Sequence, residues 1–436
     1  MAKLFGTDGV RGVAGEFLTA DLALALGRAA TAASPAEIPQ VLIVRDTRES
    51  GEMLEAGLAA GIAAAGGHAL LGGVLPTPGA ALLVRRFGFD LAAVVTASHN
   101  PYRDNGIKFF GPRGTKLSSE EEAQVERLVE MPPPPPAPGR VRELHGAGGD
   151  YLRELELRFR DLDLSGRRVL LDCANGATYR VAPEIFRRLS ADAEAIATEP
   201  NGRNINEGVG SLHVESLGEK VREGGFELGF AFDGDGDRVL AVDSGGAVVD
   251  GDELIALAAR HLREAGRLPG NGVAVTVMTN YGFHQAMEEA GVDVATTPVG
   301  DQNVLAELLS RGWALGGEQS GHIIDTGFVP SGDGIAAALL TLEALAGRDL
   351  ADRSAMRKLP QRLVNVRVAD RGALDDAKAV WDAVERESDA LAGRGRVLIR
   401  PSGTEPLVRV MVEAPEEEEC EAVTARLVEA VQRELA

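Results

Sequence analysis

Residues 89–101 read Phe-Asp-Leu-Ala-Ala-Val-Val-Thr-Ala-Ser-His-Asn-Pro, and this stretch decides the fold. Its apolar run predicts a buried strand, and the small polar residues after it predict a loop at the carboxyl end of that strand. Open α/β sheets bind ligands just beyond such strand ends. Pro101 disfavours helical geometry at Asn100, so the chain turns there. The stretch therefore predicts an α/β sheet that presents Ser98 and His99 on a stiff loop; an ordinary connection with a capping serine is the alternative.

The segments before this loop alternate between predicted helices and predicted strands. Helical patterns cover 19–33, 50–65 and 79–87, and strand patterns cover 40–44, 68–75 and 91–95. Alternation of this kind predicts βαβ units, a mostly parallel sheet and helices on both of its faces. After the loop, 105–111 predicts a turn into a short strand in which Lys108 faces away from its apolar neighbours.

The composition bounds the class of protein. The chain has 436 residues, enough for about three or four domains of ordinary size. Its formal net charge of −21 argues against non-specific binding to nucleic acid or to an anionic membrane. Two cysteines give no disulfide framework, and the first residues lack the apolar core of a signal peptide. We therefore expect a cytoplasmic protein with neither nucleic-acid nor membrane partners.

One stretch requires a test for membrane insertion. Residues 57–84 contain no Asp, Glu, Lys or Arg, and they are long enough to span a bilayer. Glycine pairs at 66–67 and 72–73, followed by Pro76 and Pro78, interrupt the stretch. These interruptions predict a helix, a short strand and a turn inside a soluble core.

Composition shifts predict four domains. The proline-rich segment 131–139 is typical of a stiff linker, so we place the first boundary just after it. A new helix predicted after Asp250 marks the second boundary. The order strand, helix, strand, strand, helix near the C-terminus predicts a smaller α+β unit. The predicted domains are 1–145, 146–250, 251–363 and 364–436.

A second loop follows the predicted strand 226–232 and carries three carboxylates. Asp233, Asp235 and Asp237 alternate with glycine, so they lie on one side of an extended or looped backbone. Carboxylates this close raise one another's pKa, and a bound cation relieves the repulsion. A few hard oxygen ligands favour magnesium, completed by water and a phosphate oxygen. The loop therefore predicts a magnesium site.

Other interpretations of this loop are weaker. An EF-hand is excluded because Arg238 stands where that motif needs Gly and Ser244 stands where it needs Glu. An aspartyl nucleophile at Asp233, as in haloacid-dehalogenase-type phosphatases, is a second alternative. That class usually has Thr or Val at the position of Asp237. A purely structural turn is the third alternative.

Two further loops carry groups that suit a phosphosugar. Glu318 and Ser320, two residues apart in a glycine-rich turn, can present a carboxylate and a hydroxyl to sugar hydroxyls; a plain polar turn is the alternative. The segment 400–406, Arg-Pro-Ser-Gly-Thr-Glu-Pro, precedes Arg409 and combines guanidinium groups, hydroxyls and an accessible glycine N–H. That combination predicts a phosphate cradle rather than a simple hairpin turn.

A tight N-terminal loop completes the set of motifs. Residues 6–12 read Gly-Thr-Asp-Gly-Val-Arg-Gly, and three glycines in seven residues predict backbone that approaches something closely. Arg11 of this loop could point at an anion, although a simple turn is the alternative.

In this order along the whole chain, the loops resemble those of the α-D-phosphohexomutase superfamily. The motif sequences at 6–12 and 317–322 are most similar to those of bacterial phosphoglucosamine mutases. The phosphomannomutase/phosphoglucomutase branch usually carries Met at the position of Gln319. The resemblance implies four domains around a central cleft, of which three are related α/β domains with mixed sheets and the fourth is a smaller, mobile α+β domain.

The resemblance also implies roles for single residues. Ser98 would be a phosphoserine, and Mg²⁺ would be bound by one of its oxygens together with Asp233, Asp235 and Asp237. Sugar hydroxyls would be bound by Glu318 and Ser320. The phosphate that is not reacting would be bound by Arg400, Ser402, Gly403, Thr404 and Arg409. The reacting end would be lined by Arg11, His99, Lys108, Arg238 and His322. Lys108 is the expected general base, with His99 and His322 as rivals.

The activity implied is the interconversion of glucosamine 6-phosphate and glucosamine 1-phosphate. It would run through a 1,6-bisphosphate, with glucosamine or glucose 1,6-bisphosphate as activator, and would feed UDP-N-acetylglucosamine and cell-wall synthesis. We also expect a homodimer. The alternatives are a mutase for mannose or glucose phosphates, a phosphatase with Asp233 as nucleophile, and a non-catalytic phosphosugar-binding protein. The last needs neither Ser98 nor three carboxylates.

Overall fold

The computed structural model describes residues 3–134, 137–401 and 405–435. The described strands form four sheets, and the chain folds into two compact units. The first unit contains the described residues up to Val277 together with Val294–Arg353. The second unit contains Met278–Asp293 and the described residues from Ser354 onward.

The first sheet occupies the N-terminal part of the chain. Its strands are β1 (Val10–Val13), β2 (Gln40–Arg45), β3 (His68–Val74), β4 (Leu91–Val95), β5 (Asp104–Phe110) and β6 (Val141–Glu143). They lie in the order β1-β5-β4-β2-β3-β6. Strand β2 runs parallel to β3 and β4, whereas β5 runs antiparallel to β4 and β1. The helices of this region are α1 (Ala20–Ala33), α2 (Gly51–Ala64), α3 (Thr77–Phe87) and α4 (Ser119–Glu130).

Close packing holds this layer together. All five residues of β4 are buried, as expected of a strand with neighbours on both edges and helices over the sheet. Helices α1 and α2 approach closely, since a Cβ at Gly61 would lie 2.0 Å from the carbonyl oxygen of Leu24. The charge-free stretch 57–84 forms part of α2 together with β3 and α3, as predicted. Within the described ranges, no helix combines the length and the apolar character that crossing a membrane needs.

The second sheet repeats this plan. Its strands are β7 (Arg168–Asp172), β8 (Asp192–Ile196), β9 (Leu228–Phe232), β10 (Val239–Asp243) and β11 (Val248–Val249), in the order β11-β10-β9-β7-β8. Strand β7 runs parallel to β8 and β9, and β10 runs antiparallel to β9 and β11. The helices of this region are α5 (Ala147–Arg158), α6 (Val181–Arg188) and α7 (Val214–Gly224).

The third sheet is also mixed. Its strands are β12 (Gly272–Thr276), β13 (Asp293–Thr297), β14 (Leu315–Gly317), β15 (Ile323–Asp325) and β16 (Val329–Gly332), in the order β13-β12-β14-β15-β16. Strand β14 runs parallel to β12, and β15 runs antiparallel to β14 and β16. The helices of this region are α8 (Gly251–Glu264), α10 (Asp301–Arg311) and α11 (Gly334–Leu345), and α9 (Tyr281–Glu289), which lies between α8 and α10 in the chain, is part of the second unit.

One feature common to these three sheets positions the functional loops. In each, a strand that pairs in parallel with its neighbour is followed by an antiparallel return strand: β4 by β5, β9 by β10, and β14 by β15. The connections between them are residues 96–103, 233–238 and 318–322. The predicted loops at Ser98, Asp233 and Glu318 therefore each lie at the carboxyl end of a core strand.

The second unit contains the fourth sheet. Its strands are β17 (Gln361–Arg367), β18 (Arg396–Pro401) and β19 (Leu407–Glu413), all antiparallel in the order β17-β19-β18, and its helices are α12 (Lys378–Leu391) and α13 (Glu417–Leu435). Helix α9 also belongs to this unit. The backbone N–H of Tyr281 donates to Glu413 Oε2 at 2.9 Å, and Arg396 Nε donates to the same carboxylate at 2.9 Å.

The predicted fold class is confirmed: three α/β regions with mixed sheets precede a smaller α+β region. Some predicted elements were wrong. The tight loop predicted at residues 6–12 continues into β1, which begins at Val10. Strands β6, β10 and β11 were not predicted; β6 is short and exposed and so lacks an apolar pattern. The predicted boundaries after 145, 250 and 363 stay predictions.

Candidate active site

Ser98 lies directly beyond β4, and its side chain points at a carboxylate from the second sheet. Its φ is +52°, a left-handed conformation that non-glycine residues rarely adopt. The residue is 2% exposed. Its Oγ donates to Asp233 Oδ2 at 2.5 Å and lies 3.2 Å from Nδ1 of His99. The fold thus brings together a hydroxyl and a carboxylate that are 135 residues apart.

The loop between β9 and β10 gathers three buried carboxylates, Asp233, Asp235 and Asp237. One oxygen from each lies within 4.8 Å of the other two. Burial and the two neighbouring carboxylates raise the pKa of Asp233 well above its usual range. Within the described ranges, the buried Oδ1 atoms of Asp235 and Asp237 accept no hydrogen bond. These buried, underused hard oxygens fit a divalent cation such as magnesium.

Positive side chains surround this cluster. Lys108 is buried on β5, and its Nζ lies 3.1 Å from Asp235 Oδ2, 3.1 Å from Asp8 Oδ2 and 3.9 Å from Asp237 Oδ2. Burial opposes its charge, but these carboxylates raise the pKa of Lys108 above its usual range. Arg238 Nε lies 3.9 Å from Asp237 Oδ1. Because an ammonium group held by carboxylates must first lose a proton to act as a base, the basic role of Lys108 stays a prediction.

Two histidines border the same carboxylates in different ways. The backbone N–H of Gly332 donates to His322 Nε2 at 3.1 Å, so the ring proton lies on Nδ1. That nitrogen faces Asp237 Oδ2 at 3.6 Å. His99 stands beside Ser98, and burial together with two nearby arginines lowers its pKa. His99 therefore lies beside Ser98 and His322 beside Asp237, and their roles at the reacting end stay predictions.

An ion-pair chain that sequence analysis missed adjoins the cluster. Lys116 bonds to Asp8 and donates to Asp301 Oδ2 at 2.6 Å, and Asp8 also pairs with Arg11. The N-terminal loop and the first residue of α10 are thereby joined across the first unit. Asp8 lies within the motif at 6–12, but no spacing in the sequence signals a partner 108 residues away.

The loop between β14 and β15 is held by hydrogen bonds from two sides. Glu318 Oε1 accepts from the backbone N–H of Gly300 at 3.1 Å. Gln319 Nε2 donates to Asp250 Oδ2 at 3.2 Å, and Asp250 also caps α8. Ser320 at the tip is exposed. A fixed carboxylate next to an accessible hydroxyl is an arrangement that suits polyhydroxyl ligands.

In the second unit, Arg400 and Arg409 face each other in register on β18 and β19. Burial and the neighbouring Arg409 lower the pKa of Arg400. Like charges directly opposite destabilise a sheet, and a bound anion removes that cost. Nε of Arg409 is buried and, in the part of the chain that the structure describes, has no acceptor. Three members of the predicted cradle, Ser402, Gly403 and Thr404, lie outside the described residues.

Comparison with known proteins finds related families along most of the chain. Four family models of phosphoglucomutase/phosphomannomutase match it. Alpha/beta/alpha domain I matches residues 2–132, domain II matches 149–246, domain III matches 250–363, and the C-terminal domain matches 363–430. Together the matches run through all four sheets.

Individual relatives show which family within this superfamily the chain resembles. A phosphoglucosamine mutase of Geobacillus kaustophilus is 46% identical over 446 residues, covering 100% of this chain and 99% of the relative. One of Moorella thermoacetica is 50% identical over 438 residues, with 98% of both chains covered. The solved structure of Aspergillus fumigatus N-acetylphosphoglucosamine mutase in complex with GlcNAc-6P and magnesium shares the fold, with a TM-score of 0.70, 18% identity and coverage of 99% of this chain and 96% of that one. The chain belongs to the phosphoglucosamine mutase family of enzymes, within the phosphoglucomutase/phosphomannomutase superfamily.

Proposed function

We propose that the protein interconverts glucosamine 6-phosphate and glucosamine 1-phosphate through a phosphoserine at Ser98. The observation that carries this proposal is the 2.5 Å hydrogen bond from Ser98 Oγ to Asp233, inside a buried cluster that fits a divalent cation. A serine with no chemical role would have little reason to sit in a left-handed turn against three carboxylates. The phosphoglucosamine mutases that it resembles support the choice of an amino sugar.

The metal site fits this chemistry. Asp233, Asp235 and Asp237 would hold Mg²⁺ together with an oxygen of phosphorylated Ser98. When bound, the ion supplies Lewis-acid stabilisation of the charge on the transferring phosphoryl group. A phosphoserine carries about −1.5 to −2 charges near pH 7, so these carboxylates could not accept it without a cation. The magnesium named for the Aspergillus fumigatus structure supports this choice of metal.

Residues of this chain supply the groups that the first phosphoryl transfer needs. A sugar hydroxyl oxygen attacks the phosphorus of phosphorylated Ser98, the bond from phosphorus to Oγ breaks, the hydroxyl proton passes to the general base, and Oγ takes up a proton as it leaves. Lys108, His99 and His322 are the candidates for that base. Arg11 and Arg238 oppose the negative charge that spreads over the phosphoryl oxygens. The product of this half-reaction is a 1,6-bisphosphate and free Ser98.

The return step uses the other end of the sugar. Ser98 Oγ attacks the phosphorus of the second phosphate of the bisphosphate and gives its proton to the general base. The bond from that phosphorus to the sugar oxygen breaks, the sugar oxygen takes up a proton, and the phosphoserine is restored. Glu318 and Ser320 would bind sugar hydroxyls in both orientations. The phosphate that is not reacting would be bound by Arg400, Ser402, Gly403, Thr404 and Arg409. Glucosamine or glucose 1,6-bisphosphate would serve as activator because either one can rephosphorylate Ser98.

The wider setting follows from this activity. The product would feed UDP-N-acetylglucosamine and cell-wall synthesis. Location in the cytoplasm and assembly as a homodimer stay predictions. GlcNAc-6P in the Aspergillus fumigatus complex supports a phosphosugar as the small-molecule partner.

The test compares four substrates and one variant. Glucosamine, N-acetylglucosamine, glucose and mannose phosphates are assayed with Mg²⁺ and a trace of the matching bisphosphate, for wild type and Ser98→Ala. We expect glucosamine phosphate to have the highest kcat/KM, and Ser98→Ala to lose activity by about 10³-fold or more. If glucose or mannose phosphate has the highest kcat/KM, the substrate is wrong. If Ser98→Ala keeps near-full activity, the phosphoserine is wrong, and a hydroxylamine-sensitive phosphate on Asp233 becomes the competing mechanism.

A further inference from the structure

Arg48 is a fully buried arginine close to the catalytic loop, and its donors point at that loop's backbone. It follows β2, and its side chain is 0% exposed. Nη2 of Arg48 donates to the carbonyl oxygen of Ser98 at 3.1 Å and to that of Asn100 at 2.6 Å. Nη1 pairs with Asp46. The guanidinium thus hydrogen-bonds to the carbonyl oxygens of the residues on either side of His99.

A second donor reaches the same carbonyls from the second sheet's region. Asn206 Nδ2 donates to the carbonyl oxygen of Ser98 at 3.0 Å and to that of Asn100 at 3.2 Å. A carbonyl oxygen has two lone pairs, so each of these oxygens accepts from both side chains. Two separate regions of the chain therefore converge on the same two backbone atoms.

Asp46 extends the network to the amide side of Ser98. Its carboxylate accepts from Thr96 Oγ1 at 2.6 Å, and Thr96 Oγ1 accepts from the backbone N–H of Ser98 at 2.9 Å. The backbone N–H of Arg48 also donates to Asp46, at 2.9 Å. Both polar backbone groups of Ser98 are therefore fixed by buried side chains. This accounts for the persistence of a left-handed φ of +52° at a serine.

We propose that Arg48 and Asn206 are positioning residues, which hold the backbone of Ser98 so that Oγ points at Asp233. The inference rests on the proposed function, because it concerns phosphoryl transfer at Ser98. In-line transfer depends steeply on placement, and a shift of about 1 Å at the reacting atom can cost about 10²-fold in rate. Among the described residues, Oγ hydrogen-bonds to Asp233 and His99, whereas Arg48 and Asn206 bond to backbone carbonyls, so these two residues act on the chemistry through the conformation of the loop.

A stability role is the competing explanation, since removing one partner of a buried ion pair is destabilising in itself. Asn206→Ala tests the two explanations, because it removes a donor to both carbonyls and leaves no buried charge unpaired, and the thermal midpoint measures the strain of an alanine at the φ of +60° that residue 206 adopts. Arg48→Lys keeps the charge beside Asp46 but loses the fork that spans two carbonyls. Arg353→Lys is the matched control: Arg353 donates to Asp243 and Glu253 at 2.8 Å each, elsewhere in the same unit.

The experiment measures kcat, KM and the thermal midpoint for these variants. It also follows, by intact mass spectrometry, how fast dephosphorylated enzyme gains phosphate from glucose 1,6-bisphosphate with Mg²⁺. We expect Asn206→Ala to lower kcat and the rate of phosphate uptake about tenfold, and Arg48→Lys about 10²-fold, with KM changed less than about twofold. Arg353→Lys should leave kcat and uptake at wild-type values.

The outcomes distinguish this inference from the function on which it rests. If wild type gains phosphate on Ser98 and Asn206→Ala gains it equally fast, the positioning role is wrong, whatever the thermal midpoints show. If Arg48→Lys does not fold, Asn206→Ala alone decides. If wild type gains no phosphate on Ser98, the proposed function is wrong, and the positioning role that rests on it is wrong as well.

Discussion

Ser98 Oγ donates to Asp233 Oδ2 at 2.5 Å, which places the hydroxyl of one sheet's loop against the carboxylate cluster of another. The burial of Asp233 disfavours its charge, and Asp237 and Asp235 add to that cost. A phosphate on Ser98 adds about −1.5 to −2 further charges near pH 7. Phosphorylation of Ser98 and cation binding are therefore coupled. The cation offsets the negative charge of the carboxylates and the phosphate, and the phosphate in turn strengthens the binding of the cation.

The first prediction concerns this coupling. Phosphorylated enzyme should bind Mg²⁺ about tenfold or more tightly than dephosphorylated enzyme, because the phosphate adds negative charge and an oxygen ligand. Isothermal titration of the two forms with Mg²⁺ measures the ratio. Ser98→Ala serves as the control and should match dephosphorylated wild type. Equal affinities of the two wild-type forms would contradict the placement of the metal beside Ser98.

The second prediction concerns the pair of opposed arginines in the second unit. Arg400→Ala removes one guanidinium from a face-to-face pair with Arg409. We expect KM for glucosamine phosphate to rise at least about tenfold while kcat falls less, because the lost contact binds a phosphate that does not react. Steady-state kinetics measures both constants.

A matched control exists in the same unit. Arg394 makes an exposed ion pair with Glu419, so Arg394→Ala should leave KM unchanged. An Arg400→Ala enzyme whose kcat falls while KM stays constant would assign that arginine to the transferring phosphate instead.

Sequence patterns located the functional loops because the ends of buried strands can be recognised from the amino-acid sequence. Continuous apolar runs precede the loops at Ser98 and Asp233, and turn residues follow each run. The pattern of alternate carboxylates was sufficient to predict the cluster, because its members are neighbours in sequence. These features depend on local chemistry alone.

Long-range partners could not be found in the same way. In the sequence, Arg48 is one of several polar residues that follow an apolar run, and only the fold shows that its guanidinium is buried and donates to the carbonyl oxygen of Ser98. The bridge of Lys116 between Asp8 and Asp301 joins residues that no periodicity connects. Burial of charge, decided by tertiary packing, separates these side chains from ordinary surface residues.

The third prediction tests the packing that supports the first sheet. Gly61→Ala should destabilise the protein by about 2–4 kcal/mol, because its Cβ would meet the carbonyl oxygen of Leu24 at 2.0 Å. Gly149→Ala in α5 is the control: nothing lies within 4 Å of its Cβ position. That change should stabilise by about 0.4–1 kcal/mol, since alanine favours helix. Urea unfolding of both variants measures the difference, and similar values for the two would contradict close packing of α1 and α2.

The last prediction concerns acid stability and an ion-pair group in the first unit. Arg267 donates to both oxygens of Glu343, at 2.8 Å and 2.9 Å, and Arg158 and His261 approach the same carboxylate. Burial opposes ionisation, but the nearby His261, the hydrogen bonds from Arg267 and the charge of Arg158 lower the pKa of Glu343 to about 2. A carboxylate whose pKa is lower in the folded state binds fewer protons there than in the unfolded chain.

The stabilisation from Glu343 is therefore complete above its unfolded pKa of 4.5 and is lost as the pH falls from there towards about 2. Glu343→Gln should cost about 1–2 kcal/mol near pH 7, after allowance for solvent screening of a partly exposed pair. Urea unfolding of wild type and Glu343→Gln between pH 6 and pH 3 should show this difference shrinking with acid. Glu307→Gln, which removes an exposed pair with Arg311 on α10, should show a small difference at every pH. A cost of Glu343→Gln that stays constant down to pH 3 would mean that packing, and not charge, is what this side chain contributes.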